Sequence, residues 1–226
     1  MPEAAINDSL QLRTLRAFTL LHHLHPTWAG QLILNIGLTD QSIPLASTIA
    51  GAVCLSLEPD PATARQALRT GACDFVVNTL DEALRAMKNE VRQAKPLSVG
   101  LQGNQSQILN EILERGVAPQ LVTNLTNPEA RQAFCTQGAT LLNGDEAATL
   151  LTSILEQNHW TAHDFPQPTS AALKSFDLQA AEILPPNDTL RRTWLAAAPR
   201  LFPRETPPHR TLWLTPSEAD QLHKKP

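Results

Sequence analysis

From residue 31 to residue 156, short apolar runs alternate with amphipathic stretches about every 20 residues, and this alternation constrains the fold more than any other feature. The apolar runs lie at 31–37, 53–57, 74–77, 97–101, 121–123 and 140–142. Each is too short for a buried helix and fits a strand covered on both faces. The stretches between them carry helix punctuation. Asp60 before Pro61 reads as an N-cap followed by a proline at the first helical position, 79–82 is close to a capping box, and Gly71 and Gly116 follow helical stretches as C-caps. Strands joined through single helices run parallel. The expected fold is therefore α/β: a Rossmann-like, doubly wound parallel sheet of five or six strands, preceded by a short helix at 8–25.

The remainder, 158–226, departs from the pattern. It holds 10 of the 18 prolines and three of the four Trp. It reads as an irregular Pro-rich C-terminal extension with one helix at 190–198, packing back on the 1–157 domain through Trp194 and Trp213. Composition narrows the function classes. The net charge of −4 supplies no basic field for a nucleic acid, and no apolar run approaches the roughly 18 residues of a membrane span. The first 20 residues lack the pattern of a secretion signal, so a cytoplasmic protein is expected. Cys54, Cys73 and Cys135 are widely spaced and read as buried apolar residues in a reducing compartment. His22, His23 and His25 end the first helix as cation-capable groups, and no metal site is read from them or from His159 and His163. Tyr is absent, and with nine glycines no G-x-G-x-x-G occurs.

In an open parallel sheet, ligands bind beyond the carboxyl ends of the strands. The segments there are 37–44, 58–60, residue 78, 102–107 and 123–128. In this order they resemble the NAD-binding domain of urocanase (urocanate hydratase). The resemblance rests on 29–38 (Ala-Gly-Gln-Leu-Ile-Leu-Asn-Ile-Gly-Leu), on Pro44, Leu45 and Ala46 with Ala50 to Ala52, and on 57–71 with its Glu58, Asp60, Pro61, Arg65 and Gly71. It continues through 95–104 (Lys-Pro-Leu-Ser-Val-Gly-Leu-Gln-Gly-Asn) and through Gly116, Pro119, Val122 and Thr123. It runs over about 13–155, with a shorter match at 182–214.

The departures matter as much. A urocanase carries a glycine-rich loop after its first strand; here 37–44 reads Gly-Leu-Thr-Asp-Gln-Ser-Ile-Pro and keeps only the first glycine. Thr39 and Asp40 block the close backbone approach a pyrophosphate needs, and Asp40 brings charge of the wrong sign. The sequence also holds no counterpart of the core domain into which a urocanase inserts this one. The resemblance thus implies the fold without the hydratase chemistry: a non-catalytic protein with a degenerate NAD crevice that takes a small molecule or a partner. The alternatives are a residual NAD or nucleotide-binding module and an active hydratase of histidine degradation. The crevice residues expected to hold any cofactor are Gly37, Glu58, Gly103, Asn104 and Thr123, with NAD bound weakly or not at all. Glu58 reads equally as a ribose ligand or as a solvated loop carboxylate that caps the helix start at Asp60 and Pro61, and Asn104 as a helix cap or a ligand contact. Neither nucleic acid nor membrane is expected as a partner, and the oligomeric state stays open.

Overall fold

The computed structural model describes residues 8–203 and 205–224. Helix α1 (Leu10–Leu24) starts at Ser9, whose hydroxyl accepts the Leu12 N–H at 3.1 Å, and carries His22 and His23 in its last turn. Then follow β1 (Leu32–Ile36), α2 (Ser42–Ala50), β2 (Val53–Glu58), α3 (Pro61–Thr70), β3 (Phe75–Val77), α4 (Leu80–Gln93) and β4 (Leu97–Gln102). Next come α5 (Gln105–Glu114), β5 (Leu121–Thr123), α6 (Pro128–Thr136), β6 (Thr140–Leu142) and α7 (Gly144–Asn158). The helix boundaries fall where the cap residues put them. Asp60 accepts from the N–H groups of Ala62 and Thr63, Thr79 and Glu82 form a capping box, and Gly71 closes α3 at φ 78°.

All six strands are parallel, in the order β3-β4-β2-β1-β5-β6. Side chains alternate between two buried faces. Ile33, Cys54 and Leu121 face α1, α2, α7 and the C-terminal elements. Leu34, Leu55 and Val122, which are in register with one another, face α4, α5 and α6. Helices thus cover both sides, as the uninterrupted apolar strands require.

The C-terminal segment holds more regular structure than its proline content suggests: β7 (Thr161–Pro166), α8 (Ser170–Ile183), α9 (Thr189–Leu201), β8 (His209–Leu214) and α10 (Pro216–Lys224). The anticipated helix at 190–198 is the middle of α9. Most prolines here punctuate rather than disrupt. Pro166 ends β7, Pro185 and Pro186 separate α8 from α9, and Pro216 opens α10, positions where a missing N–H costs little. Strands β7 and β8 pair antiparallel. Trp194 and Trp213 are buried, and the indole of Trp213 donates to the Thr19 hydroxyl of α1 at 2.8 Å, tying the segment to the first helix. Two buried guanidinium groups brace it. Arg210 meets Asp177 through two hydrogen bonds, and Arg191 is held by Asp188 and Glu218. Removing one partner of such a pair strands the other charge in the core.

One expectation is corrected. Cys54 and Cys73 are buried, but Cys135 is exposed, because it falls on the outer face of α6 beside Thr136. Among the described residues no helix is long and apolar enough to cross a membrane.

Candidate functional site

The chain leaves β1 toward β2 on one side, whereas β5 returns on the other, so the connections diverge beyond the carboxyl ends of β1 and β5. That divergence opens a crevice. Its floor is a polar row across three strands. Asn35, buried in the middle of β1, faces Ser56 of β2 and Thr123 of β5 in register. The Asn35 amide donates to the Gly37 carbonyl at 2.6 Å and to Ser56 Oγ at 3.2 Å. Its oxygen accepts from Thr123 Oγ1 at 2.8 Å and from Asn124 Nδ2 at 3.1 Å. Every donor and acceptor of the side chain is used, which fixes the strand ends relative to one another.

Four of the five sequence-derived site residues lie at the strand ends beside this floor, each engaged in backbone hydrogen bonds. Gly37, at φ 91°, donates its N–H to the Leu57 carbonyl at 2.8 Å. Glu58 is 5 % exposed, and both of its oxygens are engaged: Oε2 accepts the Leu38 N–H at 2.7 Å and Oε1 the Asp60 N–H at 2.9 Å. The Gly103 N–H donates to the Glu58 carbonyl at 3.2 Å. Asn104 caps α5, its Oδ1 accepting the Gln107 N–H at 3.1 Å. The fifth, Thr123, lies across the floor on β5 and lines the open cleft.

Asp40 sits at the start of α2. Its two oxygens accept the Ser42 N–H at 3.1 Å and the Ser42 hydroxyl at 2.9 Å, and Arg13 Nε approaches Oδ1 at 3.3 Å. In a dinucleotide-binding sheet the pyrophosphate occupies the N-terminus of the helix after β1. Here an internal carboxylate takes that place. The group that would contact a ribose, Glu58, is turned inward and consumed by backbone N–H groups. The residues present do not fit NAD in the manner of an intact Rossmann site.

Space remains on the other side of the crevice. A cleft of about 1250 Å³ lies among α1, α7 and β7, bounded by Asp40, Thr123, Asn124 and Asn143 at one end and by Trp160 and His163 at the other. Leu151 and Leu155 of α7 supply apolar wall. His163 is held below the ordinary imidazole value of 6.5 by burial and, secondarily, by the neighbouring His223. Burial pushes the Cys54 thiol up to about 11 and the Cys73 thiol up to about 12, so neither is a thiolate nucleophile near neutral pH. Among the described residues no three His, Cys, Asp or Glu side chains cluster to hold a metal ion.

Sequence reasoning missed Asn35 and the contribution of β7, and it reached Asn124 only as part of the candidate segment 123–128. The signal for Asn35 was present as one polar residue inside Leu32-Ile33-Leu34-Asn35-Ile36. No local pattern announces that β7 roofs the cleft, because that follows from tertiary packing.

Comparison with known proteins places these features in a family. The urocanase Rossmann-like domain matches residues 13–154. Two solved structures share a partial likeness. A domain described as the enoyl reductase domain of a polyketide synthase is 14% identical, covers 66% of this chain and 93% of its own, and superposes at a TM-score of 0.40. A mycobacterial protein complexed with NADPH is also 14% identical, covers 65% of this chain and 51% of its own, and gives a TM-score of 0.35. The family match spans well over half of the sequence and takes in β1 to β6 with every helix between them: the chain belongs to the urocanase family through its Rossmann-like domain.

Proposed function

We propose that this chain is a non-catalytic urocanase-family protein whose dinucleotide cradle is closed by its own carboxylates and whose switch-point cleft takes a small molecule other than NAD⁺. The observation that carries the reading is the Asp40 carboxylate seated on the first turn of α2. A phosphate brought within about 4 Å of it meets a repulsion of roughly 1–4 kcal/mol, for an effective dielectric between that of water and that of a protein surface. Glu58 supports the same reading, since a ribose hydroxyl would have to displace the buried Leu38 N–H to reach its oxygen. The cleft favours a compact ligand with an apolar body against Leu151, Leu155 and Trp160 and with hydrogen-bonding groups toward Thr123 and Asn124.

The second reading, a residual nucleotide-binding module, is favoured by the left-handed turn kept at Gly37 and by the position of the cleft at the switch point. One experiment separates the two. Restoring small, uncharged residues with Thr39→Gly and Asp40→Gly should improve NAD⁺ affinity at least about tenfold over the unmodified chain, the equivalent of about 1.4 kcal/mol. Unchanged affinity in the double variant would show that Asp40 does not close the cradle.

A further inference from the structure

We propose that the pocket between α8 and α9 binds a single-chain amphipathic carboxylate, its alkyl tail along the apolar walls and its head group on Lys174 at the rim. The pocket holds about 710 Å³, within the roughly 300–1,000 Å³ of small-molecule sites, and shares no lining residue with the switch-point cleft. Leu173, Leu195 and Phe202 are buried yet line it, so they form its floor, and Pro199 adds its ring to the wall. Leu178 stands at the rim and is 65% exposed, more than any other large hydrophobic residue described. A tail lying in the pocket would cover it. Along α8 the lining runs from Ser170 to Ala181, about 16 Å of helix, which gives room for an acyl chain of medium length.

The charges select the head group. Among the described residues, three cationic side chains line the pocket against two carboxylates. Arg210, fully buried, is held by Asp177 through bonds of 2.7 and 2.8 Å, and these two charges cancel inside the pocket. Arg192 is anchored at the end of α8, where Nη1 donates to the carbonyls of Ala181 at 2.8 Å and Leu184 at 3.2 Å. Lys174 is exposed and has no hydrogen bond or ion pair among the described residues, so its ammonium is free for a ligand. Its flexible stem lets the charge follow a head group at the rim. The remaining carboxylate, Glu205, accepts from the Gln11 amide and lies 3.6 Å from His209 Nδ1. Burial holds it above its ordinary value of 4.5, so it offsets less of the positive charge. A positive rim over an apolar floor is complementary to an anion with an apolar tail. A quaternary ammonium head meets Lys174 and Arg192 with the wrong sign, and a hydroxyl head gains no ion pair.

The test is isothermal titration calorimetry of the full chain with three amphiphiles that share one alkyl tail: decanoate, decanol and decyltrimethylammonium. Decanoate should bind with a Kd below about 100 μM and at least about tenfold tighter than decyltrimethylammonium, with decanol between them. Octanoate, shorter by two methylenes, should bind about tenfold more weakly than decanoate. Lys174→Gln should weaken decanoate about threefold to fivefold and leave decanol unchanged, since only the ion pair is lost. Ala196→Trp sets an indole into the pocket from an exposed position on α9 and should weaken all three amphiphiles at least about tenfold, which locates binding here and not in the cleft. Both positions are exposed, so both variants should melt like the unmodified protein, which separates lost binding from lost folding. No saturable binding of decanoate up to about 1 mM, a neutral or cationic amphiphile that binds as tightly, or decanoate binding untouched by Lys174→Gln or by Ala196→Trp would overturn the proposal.

Discussion

Replacing Glu58 separates a structural clamp from a ligand-binding carboxylate. The side chain is buried and accepts two backbone N–H groups, from Leu38 at 2.7 Å and Asp60 at 2.9 Å. Hydrogen bonds to a charged acceptor contribute about 1.5–3 kcal/mol each. Glu58→Ala removes both and leaves the N–H of a fully buried Leu38 without its partner, so the expected loss is about 3–5 kcal/mol. For a chain of this size each kcal/mol lowers Tm by about 2–4 °C, so a drop on the order of 10 °C follows. Glu58→Gln keeps one neutral acceptor and should lose about half as much. Urea denaturation followed by tryptophan fluorescence reads the free-energy loss, and a thermal melt followed by far-ultraviolet circular dichroism reads the Tm. A loss under about 1 kcal/mol for Glu58→Ala would show that the carboxylate does not hold the turn, and would return it to the pool of groups available to a ligand.

Three further outcomes follow. Asn35→Leu fits the strand in size but strips the polar row of its hub and should destabilise by about 2–4 kcal/mol in the same denaturation assay. Thiol labelling of the native chain at pH 8 should modify Cys135 rapidly, and Cys54 and Cys73 only on unfolding. The folded values of the two buried thiols are raised above the ordinary 9.0. Their contribution to stability is therefore complete below pH 9 and is lost as pH climbs toward 11 and 12, which a Tm series from pH 7 to 11 records, less steeply in Cys54→Ala. The absorbance of urocanate should stay constant with the chain and added NAD⁺; turnover above a heat-killed control would contradict the non-catalytic reading.

Much of the fold was legible because its determinants are local. The apolar runs, the caps at Asp60 and Thr79 and the glycine at Gly71 each act within a few residues, and each falls at the boundary it predicts. The C-terminal segment was less legible. Its proline content suggests irregular chain, whereas the pairing of β7 with β8 and the burial of Arg191 and Arg210 depend on residues far away in sequence. The crevice divides the same way. The strand ends bring Gly37, Glu58 and Gly103 together as the alternation implies, but the sequence does not say that Glu58 points inward or that Asp40 turns back on its own helix. Those are side-chain choices, set by which N–H groups the backbone leaves open.

The most direct test of the closed cradle is calorimetric titration of NAD⁺ into the unmodified chain. With Asp40 on the α2 N-terminus and Glu58 engaged by Leu38 and Asp60, the expected result is no measurable heat of binding, or a Kd above about 100 μM, weaker than about −5.5 kcal/mol. A Kd below about 10 μM would mean that the dinucleotide displaces these carboxylates, and the account of a cradle filled by the protein itself would be wrong.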